Sequence, residues 1–159
     1  MTECATTFDS PVGPLALTGV VNDQGMVLSG LRFGAADDGD PTPFATVIAQ
    51  LSEFFAGDRT RFDLALSPSG TEFQRRVWSA LCGIPFAETR SYAQIAVSIG
   101  SASATRAVGA ANGRNPLSIV VPCHRVVGAD GSLTGFGGGL EVKRWLLDHE
   151  RTVAGTALF

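Results

Sequence analysis

The chain has 159 residues, of which 45% are hydrophobic and 17% charged, with a formal net charge of -3. That length can bury a sizeable core in one domain or two small ones, and the composition excludes a disordered acidic or basic tail. No apolar run approaches the roughly 18 residues of a membrane span, and Met1-Thr2-Glu3-Cys4 lacks the basic-then-apolar order of a secretory signal, so a cytoplasmic protein is expected.

In chain order, Leu15-Ala16-Leu17-Thr18 after Gly13-Pro14, and Met26 to Phe33 after the turn signal Asn22-Asp23-Gln24-Gly25, predict strands of a small antiparallel sheet. Asp37-Asp38-Gly39-Asp40-Pro41 reads as a polar loop. From Phe44 to Phe55 the apolar residues Val47, Ile48, Leu51, Phe54 and Phe55 predict a helix stopped by Gly57 and packed on the sheet. Arg61 to Leu66 is a candidate further strand. Ser67-Pro68-Ser69-Gly70 is the natural boundary between a first domain, residues 1–70, and a second, residues 71–159.

The second part opens on the capping-box pattern Thr71-Glu72-Phe73-Gln74, with Phe73, Val77 and Leu81 on one helical face. Ser91-Tyr92-Ala93-Gln94 repeats the pattern before Ile95, Ala96 and Ile99. Gly100 stops that helix, and Ser101 or Ser103 is expected to cap the next, Ala104 to Ala111. Two short helices joined by a glycine turn make a helix-turn-helix candidate. Its second helix is built of small residues, Ala104, Thr105, Ala107, Gly109, Ala110 and Ala111, with Arg106 its sole charge. Such a helix suits either close packing in a core or close approach to a narrow groove. A last helix with the stripe Val142, Trp145, Leu146, His149 is expected, His149 serving as packing.

Charge is unevenly spread. Residues 1–70 carry three Arg and nine Asp or Glu, whereas residues 71–126 carry six Arg and two Glu. The asymmetry fits a second part facing a polyanion, and solvated surface is the plainer reading of the same charges.

The cysteines Cys4, Cys82 and Cys123 are odd in number and widely spaced, and the chain has two histidines, so neither a disulfide framework nor a metal site is expected, and no cofactor. Cys123 stands apart. It follows Ile119-Val120-Val121, which reads as a short buried strand, and Pro122, which cannot donate to a ladder and so ends it. His124, Arg125 or a helix N-terminus near Cys123 could lower its thiol pKa and make it a nucleophile; alone, a Cys after such a run is equally a buried small hydrophobe.

The segment Pro122-Cys123-His124-Arg125-Val126, with Asn115-Pro116 upstream, resembles the active site of the O6-alkylguanine-DNA alkyltransferases, the methylated-DNA-protein-cysteine S-methyltransferases. The likeness takes in Tyr92, Arg106-Ala107-Val108-Gly109, Gly135-Phe136-Gly137-Gly138-Gly139 and Trp145 to Glu150, about half the chain in one order. It implies an α+β protein: a small antiparallel sheet with one helix, then a mostly helical domain carrying the helix-turn-helix and the reactive Cys.

The implied activity is irreversible, single-turnover transfer of the alkyl group from O6-alkylguanine in duplex DNA to Cys123 after base flipping, with O4-alkylthymine a further candidate substrate. By the same resemblance, His124 deprotonates Cys123 through a water, Glu150 orients the imidazole, and Tyr92 donates toward the departing guanine. Adjacent residues on an extended backbone point opposite ways, which disfavours a direct Cys123 to His124 bond. Arg106 is the finger that fills the vacated stack, with Ala104, Thr105, Ala107 and Gly109 against DNA. Asn115 is grouped with them as the brace between the DNA-binding and reactive elements. Val126, Phe136 and Gly137 are implied to line the base pocket; some relatives carry Tyr and Ser where this chain has Phe136 and Gly137. Arg125 is expected to serve structure through carbonyls or carboxylates.

The implied partner is double-stranded DNA containing O6-alkylguanine, met by a monomer without an obligate protein partner. Two rival classes are a non-catalytic lesion binder, which the presence of Cys123 argues against, and a Cys-His hydrolase, which leaves Arg106 and its small-residue helix unexplained.

Overall fold

A computed structural model of the chain describes residues 1–35 and 38–155. Asp37 of the expected polar loop and the last four residues of the expected second domain lie outside the described residues. The chain divides into two compact units, Met1–Ser69 and Gly70–Phe159.

The first unit is an antiparallel meander of β1 (Thr2–Ser10), β2 (Gly13–Asn22) and β3 (Gly25–Phe33), in the order β1-β2-β3. Gly13 and Gly25 each take a positive φ, 97° and 107°, where the two hairpins turn. A bulge between Thr18 and Gly19 breaks the β2–β3 register. A Cβ at Gly19 would come within 2.8 Å of the Val27 carbonyl oxygen, so only glycine fits there. Alternation along β2 and β3 turns Leu15, Leu17, Leu28 and Leu31 inward, where all four are fully buried.

Helix α1 (Ala45–Ala56) supplies Val47, Leu51 and Phe54, at helical spacing, to the unit's core, with Phe44 just ahead of it. Gly57 closes it in the left-handed conformation. Arg61 to Leu66 forms no strand: a single parallel bridge joins Leu66 to Leu28. The segment is instead held through Gln50, whose carboxamide donates to the Asp63 carbonyl at 2.9 Å and accepts from the Asp63 amide at 2.8 Å.

The second unit packs α2 (Glu72–Cys82), α3 (Tyr92–Ser98) and α4 (Thr105–Gly113) on one another, and sets α5 (Leu140–Ala154) against a 3-10 turn at Cys123–Arg125. Both capping boxes form, Thr71 with Gln74 and Ser91 with Gln94. Neither Ser101 nor Ser103 caps α4; its N-cap is Ala104, with no side-chain hydrogen bond. Gly100 at φ 75° and the bonds from Ser101 N to Ala96 O and from Ala104 N to Ser101 O carry the chain round the turn instead. Trp78 Nε1 donates to the Ala111 carbonyl at 2.8 Å and fixes α2 against α4.

Two short strands complete the unit. β4 (Arg90–Ser91) pairs in parallel with β5 (Val126–Val127). This pair brings the start of α3, with Tyr92, alongside the chain that leaves Cys123-His124-Arg125. No helix among the described residues is long and apolar enough to cross a membrane.

Candidate active site

Residues Ile119 to Val121 are a turn and not the expected strand. The buried Asn115 closes it: its Nδ2 donates to the Val121 carbonyl at 2.8 Å, and its Oδ1 accepts from the Leu117 amide at 3.0 Å. Backbone bonds from Val120 N to Ser118 O and from Val121 N to Leu117 O tighten it further. Ile119 sits at the centre with φ 73°, a left-handed conformation that costs a β-branched residue about 1–2 kcal/mol. It is held there because its side chain is 1% exposed in the core.

Pro122 then delivers the chain into the 3-10 turn Cys123–Arg125, all three residues buried. The premise of an extended Cys-His dipeptide therefore fails: a helical turn changes the relation of the two side chains. Cys123 is 4% exposed. Burial pushes its thiol above the ordinary 9.0, while hydrogen bonds from Asn115 and Ser118 and the charge of Lys143 pull the other way. The resting side chain is a thiol.

His124 and Glu150 are both completely buried, with His124 Nε2 2.6 Å from Glu150 Oε2. Arg125 clamps the same carboxylate with Nε to Oε1 at 2.9 Å and Nη2 to Oε2 at 3.0 Å, and Nη1 donates to the Ile84 carbonyl at 2.8 Å. The Ala87 amide adds a bond to Glu150 Oε1 at 3.1 Å. Burial alone would raise the Glu150 pKa, but the bonds and charges of His124 and Arg125 bring it down from 4.5 to about 2. Burial lowers the His124 pKa below its ordinary 6.5, aided by the charges of Arg125 and Lys143 and opposed by Glu150. The pair at rest is thus an ionised carboxylate and a neutral imidazole.

An ionised carboxylate only accepts, so the imidazole proton lies on Nε2. His124 Nδ1, buried and without a hydrogen-bond partner among the described residues, is left as a free acceptor. Asn112 Oδ1 is likewise unpartnered, while Asn112 Nδ2 lies 3.5 Å from the Cys123 carbonyl.

Tyr92, at the first position of α3, places Oη 2.8 Å from Thr134 Oγ1. Across from it on α4, a Cβ at Gly109 would stand 3.8 Å from the Tyr92 ring. Ala104 and Thr105 are half-buried with Gly109, whereas Arg106, Ala107 and Ala110 are exposed, so α4 turns outward a strip of small side chains and one arginine. Asn115, grouped with these residues on sequence, lies buried with its carboxamide engaged inside the turn. Of the implied pocket residues, Val126 is fully buried in β5, Phe136 is half-buried and Gly137 is exposed.

Sequence reasoning missed Lys143 and Thr134. Lys143 is 0% exposed, donates from Nζ to the Thr134 carbonyl at 3.0 Å and stands 6.0 Å from the centre of the Phe136 ring. Burial lowers its pKa, partly offset by Cys123. The inward face of α5 is Lys143, Leu146, Leu147 and Glu150, one position away from the expected stripe; Trp145 and His149 stack beside it with ring centroids 4.9 Å apart. Lys143 and Glu150 stand seven apart with two leucines between, a spacing that puts all four on one face. Charge at both ends of an apolar stripe was the available signal.

A family model described as the 6-O-methylguanine DNA methyltransferase DNA binding domain matches residues 72–152. The methylated-DNA-protein-cysteine methyltransferase of Mycobacterium tuberculosis (strain ATCC 25618 / H37Rv) is 50% identical over 156 residues, spanning 93% of this chain and 92% of that protein. Its namesake in Methanosarcina barkeri is 46% identical, spanning 90% and 94%. The crystal structure of Mycobacterium tuberculosis OGT in complex with DNA matches with a TM-score of 0.85 at 49% identity, spanning 94% of this chain and 93% of that one. With 46–50% identity to these relatives over nearly their full extent, and with the architecture of the solved Mycobacterium tuberculosis structure, the chain belongs to the methylated-DNA-protein-cysteine methyltransferase family.

Proposed function

We propose that this protein repairs DNA by direct reversal, moving the alkyl group of an O6-alkylguanine in duplex DNA onto Cys123 in a single irreversible turnover. The observation that carries the mechanism is the free Nδ1 of His124, the residue that follows Cys123, with Nε2 fixed by Glu150.

The target atom is buried in the base stack, so the nucleotide leaves it first, at a cost of a few kcal/mol that is lower for a poorly paired base. The outward strip of α4 approaches the groove, and Arg106 occupies the space the base vacates. The Cys123 proton then passes, through a bridging water, to His124 Nδ1. The imidazolium so formed is stabilised by Glu150, already ionised and held by Arg125, so the carboxylate need not reorganise. The thiolate attacks the alkyl carbon in line; the S–C bond forms as the C–O6 bond breaks, and its electron pair leaves with guanine. Tyr92 donates toward the guanine as that charge develops. The thioether has no route back, so each molecule acts once.

The family relationship supports this reading over a hydrolase, which would regenerate its cysteine, and Cys123 supports it over a lesion binder. Analysis of the DNA tests it. Incubation of a duplex holding one O6-methylguanine with excess protein should return unmodified guanine at that position, in an amount that stops rising once protein is the limiting reagent. Intact O6-methylguanine, or an abasic site in its place, would reject it.

A further inference from the structure

Thr134 belongs to no motif singled out in the sequence, yet it joins three parts of the site. Its hydroxyl meets Tyr92 Oη at 2.8 Å. Its carbonyl accepts from the buried Lys143 Nζ at 3.0 Å, and the loop it begins folds back through the bond from Gly139 N to Phe136 O. Lys143 thus anchors the backbone of Thr134 from inside the protein, and the Thr134 side chain reaches the one phenol in the chain.

Direction matters in that last bond. Tyr92 has a single hydroxyl hydrogen. If it donated that hydrogen to Thr134, none would remain for a base; if Thr134 donates, the phenolic hydrogen is free to point outward. A hydroxyl that accepts one hydrogen bond also becomes a better donor in its own, because successive bonds polarise one another. Resting on the function proposed above, we infer that Thr134 is a positioning residue for alkyl transfer: anchored by Lys143, it donates its hydroxyl hydrogen to Tyr92 Oη and so aims and strengthens the hydrogen bond from Tyr92 to the departing guanine.

Thr134 is exposed in the free protein. There its bond to Tyr92 competes with water and contributes little to folding; a base seated over the pair excludes that water and strengthens the bond. A purely structural residue would behave in the opposite way, changing stability whether or not substrate is bound.

The test is a double-mutant cycle on single-turnover transfer from an O6-methylguanine duplex, using wild type, Thr134→Val, Tyr92→Phe and the double variant. Valine keeps the shape and the backbone carbonyl that Lys143 needs, and removes only the hydroxyl. Thr134→Val should slow transfer about 5- to 10-fold, the worth of one hydrogen bond, with an unchanged melting temperature. Thr134→Ser should transfer within about 2-fold of wild type. In the Tyr92→Phe background, Thr134→Val should cost nothing further, because the group it acts through is gone. Undiminished transfer by Thr134→Val, or an equal slowing with and without Tyr92, would overturn the inference and leave the proposed function standing. A wild-type protein that transfers nothing would overturn both.

Discussion

Arg125 and Glu150 form a bidentate ion pair at the centre of the second unit, with both nitrogen-to-oxygen distances at 3.0 Å or less and Glu150 fully buried. The pair joins α5 to the Cys123–Arg125 turn, and it fixes the charge on the carboxylate that faces His124. Removing the guanidinium leaves a buried charge with only His124 and the Ala87 amide. Arg125→Ala should therefore lower unfolding free energy by about 3–5 kcal/mol in urea titration, far more than a surface arginine would. A loss below about 1 kcal/mol, the range of an exposed pair, would contradict the burial described here.

The same cluster sets the acid limb of stability. Glu150 has a folded pKa of about 2 against an ordinary 4.5, so its contribution is fully present above pH 4.5 and is lost as pH falls toward 2. His124 acts in the same direction from a higher pH: its folded pKa lies below the ordinary 6.5, so the unfolded chain takes up a proton first and stability declines as pH drops below 6.5. Urea midpoints measured from pH 8 to pH 3 should fall in two stages, and His124→Asn should remove the upper one.

Burial keeps the Cys123 thiol protonated at rest. Iodoacetamide at pH 7 should modify Cys123 slowly in the absence of DNA, and the rate should keep rising beyond the ordinary thiol pKa of 9.0. Peptide mapping separates Cys123 from Cys4 and the exposed Cys82. Fast modification of Cys123 at pH 7 would mean a thiolate formed before any base arrives.

Ala87 carries φ 67°, and the bond it makes to Glu150 comes from its backbone amide. Ala87→Gly should keep that bond and relieve a left-handed conformation worth about 1–2 kcal/mol, less the greater freedom of glycine in the unfolded chain, about 0.4–1 kcal/mol. A net gain of up to about 1.5 kcal/mol in urea unfolding is expected. A destabilised variant would show that the position tolerates alanine without strain.

Local signals were legible in the sequence and distant ones were not. The capping boxes at Thr71 and Ser91 and the left-handed stop at Gly57 depend on residues within four of each other, and all three form. Ile119-Val120-Val121 reads as strand on β-branching alone, but the Asn115 carboxamide reaches forward six residues and turns it, overriding propensity. Strand β1 went unrecognised because Thr6 is its one buried residue, so it shows no apolar alternation; it is held by its register with β2. Cys123 and its neighbour His124 stand out in the local sequence, whereas Glu150 and Tyr92 enter only through the resemblance; the bonds that hold Glu150 to His124, Arg125 and Ala87 span 25 to 63 residues along the chain. Thr134 belongs to no sequence motif, and Lys143 is marked only by its place at one end of the apolar stripe of α5.

If Arg106 replaces the extruded base, its loss should matter only where there is a stack to fill. Arg106→Ala should slow transfer from duplex O6-methylguanine by about tenfold or more, from the few kcal/mol that flipping requires, and leave reaction with the free O6-methylguanine base unchanged. Equal slowing on both substrates would place Arg106 in the chemistry instead.

The central claim is tested most directly by the intact mass of the protein after incubation with a duplex containing one O6-methylguanine, run beside Cys123→Ser. Wild type should gain one methyl group, saturating at one per molecule however much lesion is supplied, and the variant should gain none. A methyl group on the Cys123→Ser variant, or a wild type that clears lesion in excess of its own amount with no change in mass, would contradict transfer to Cys123.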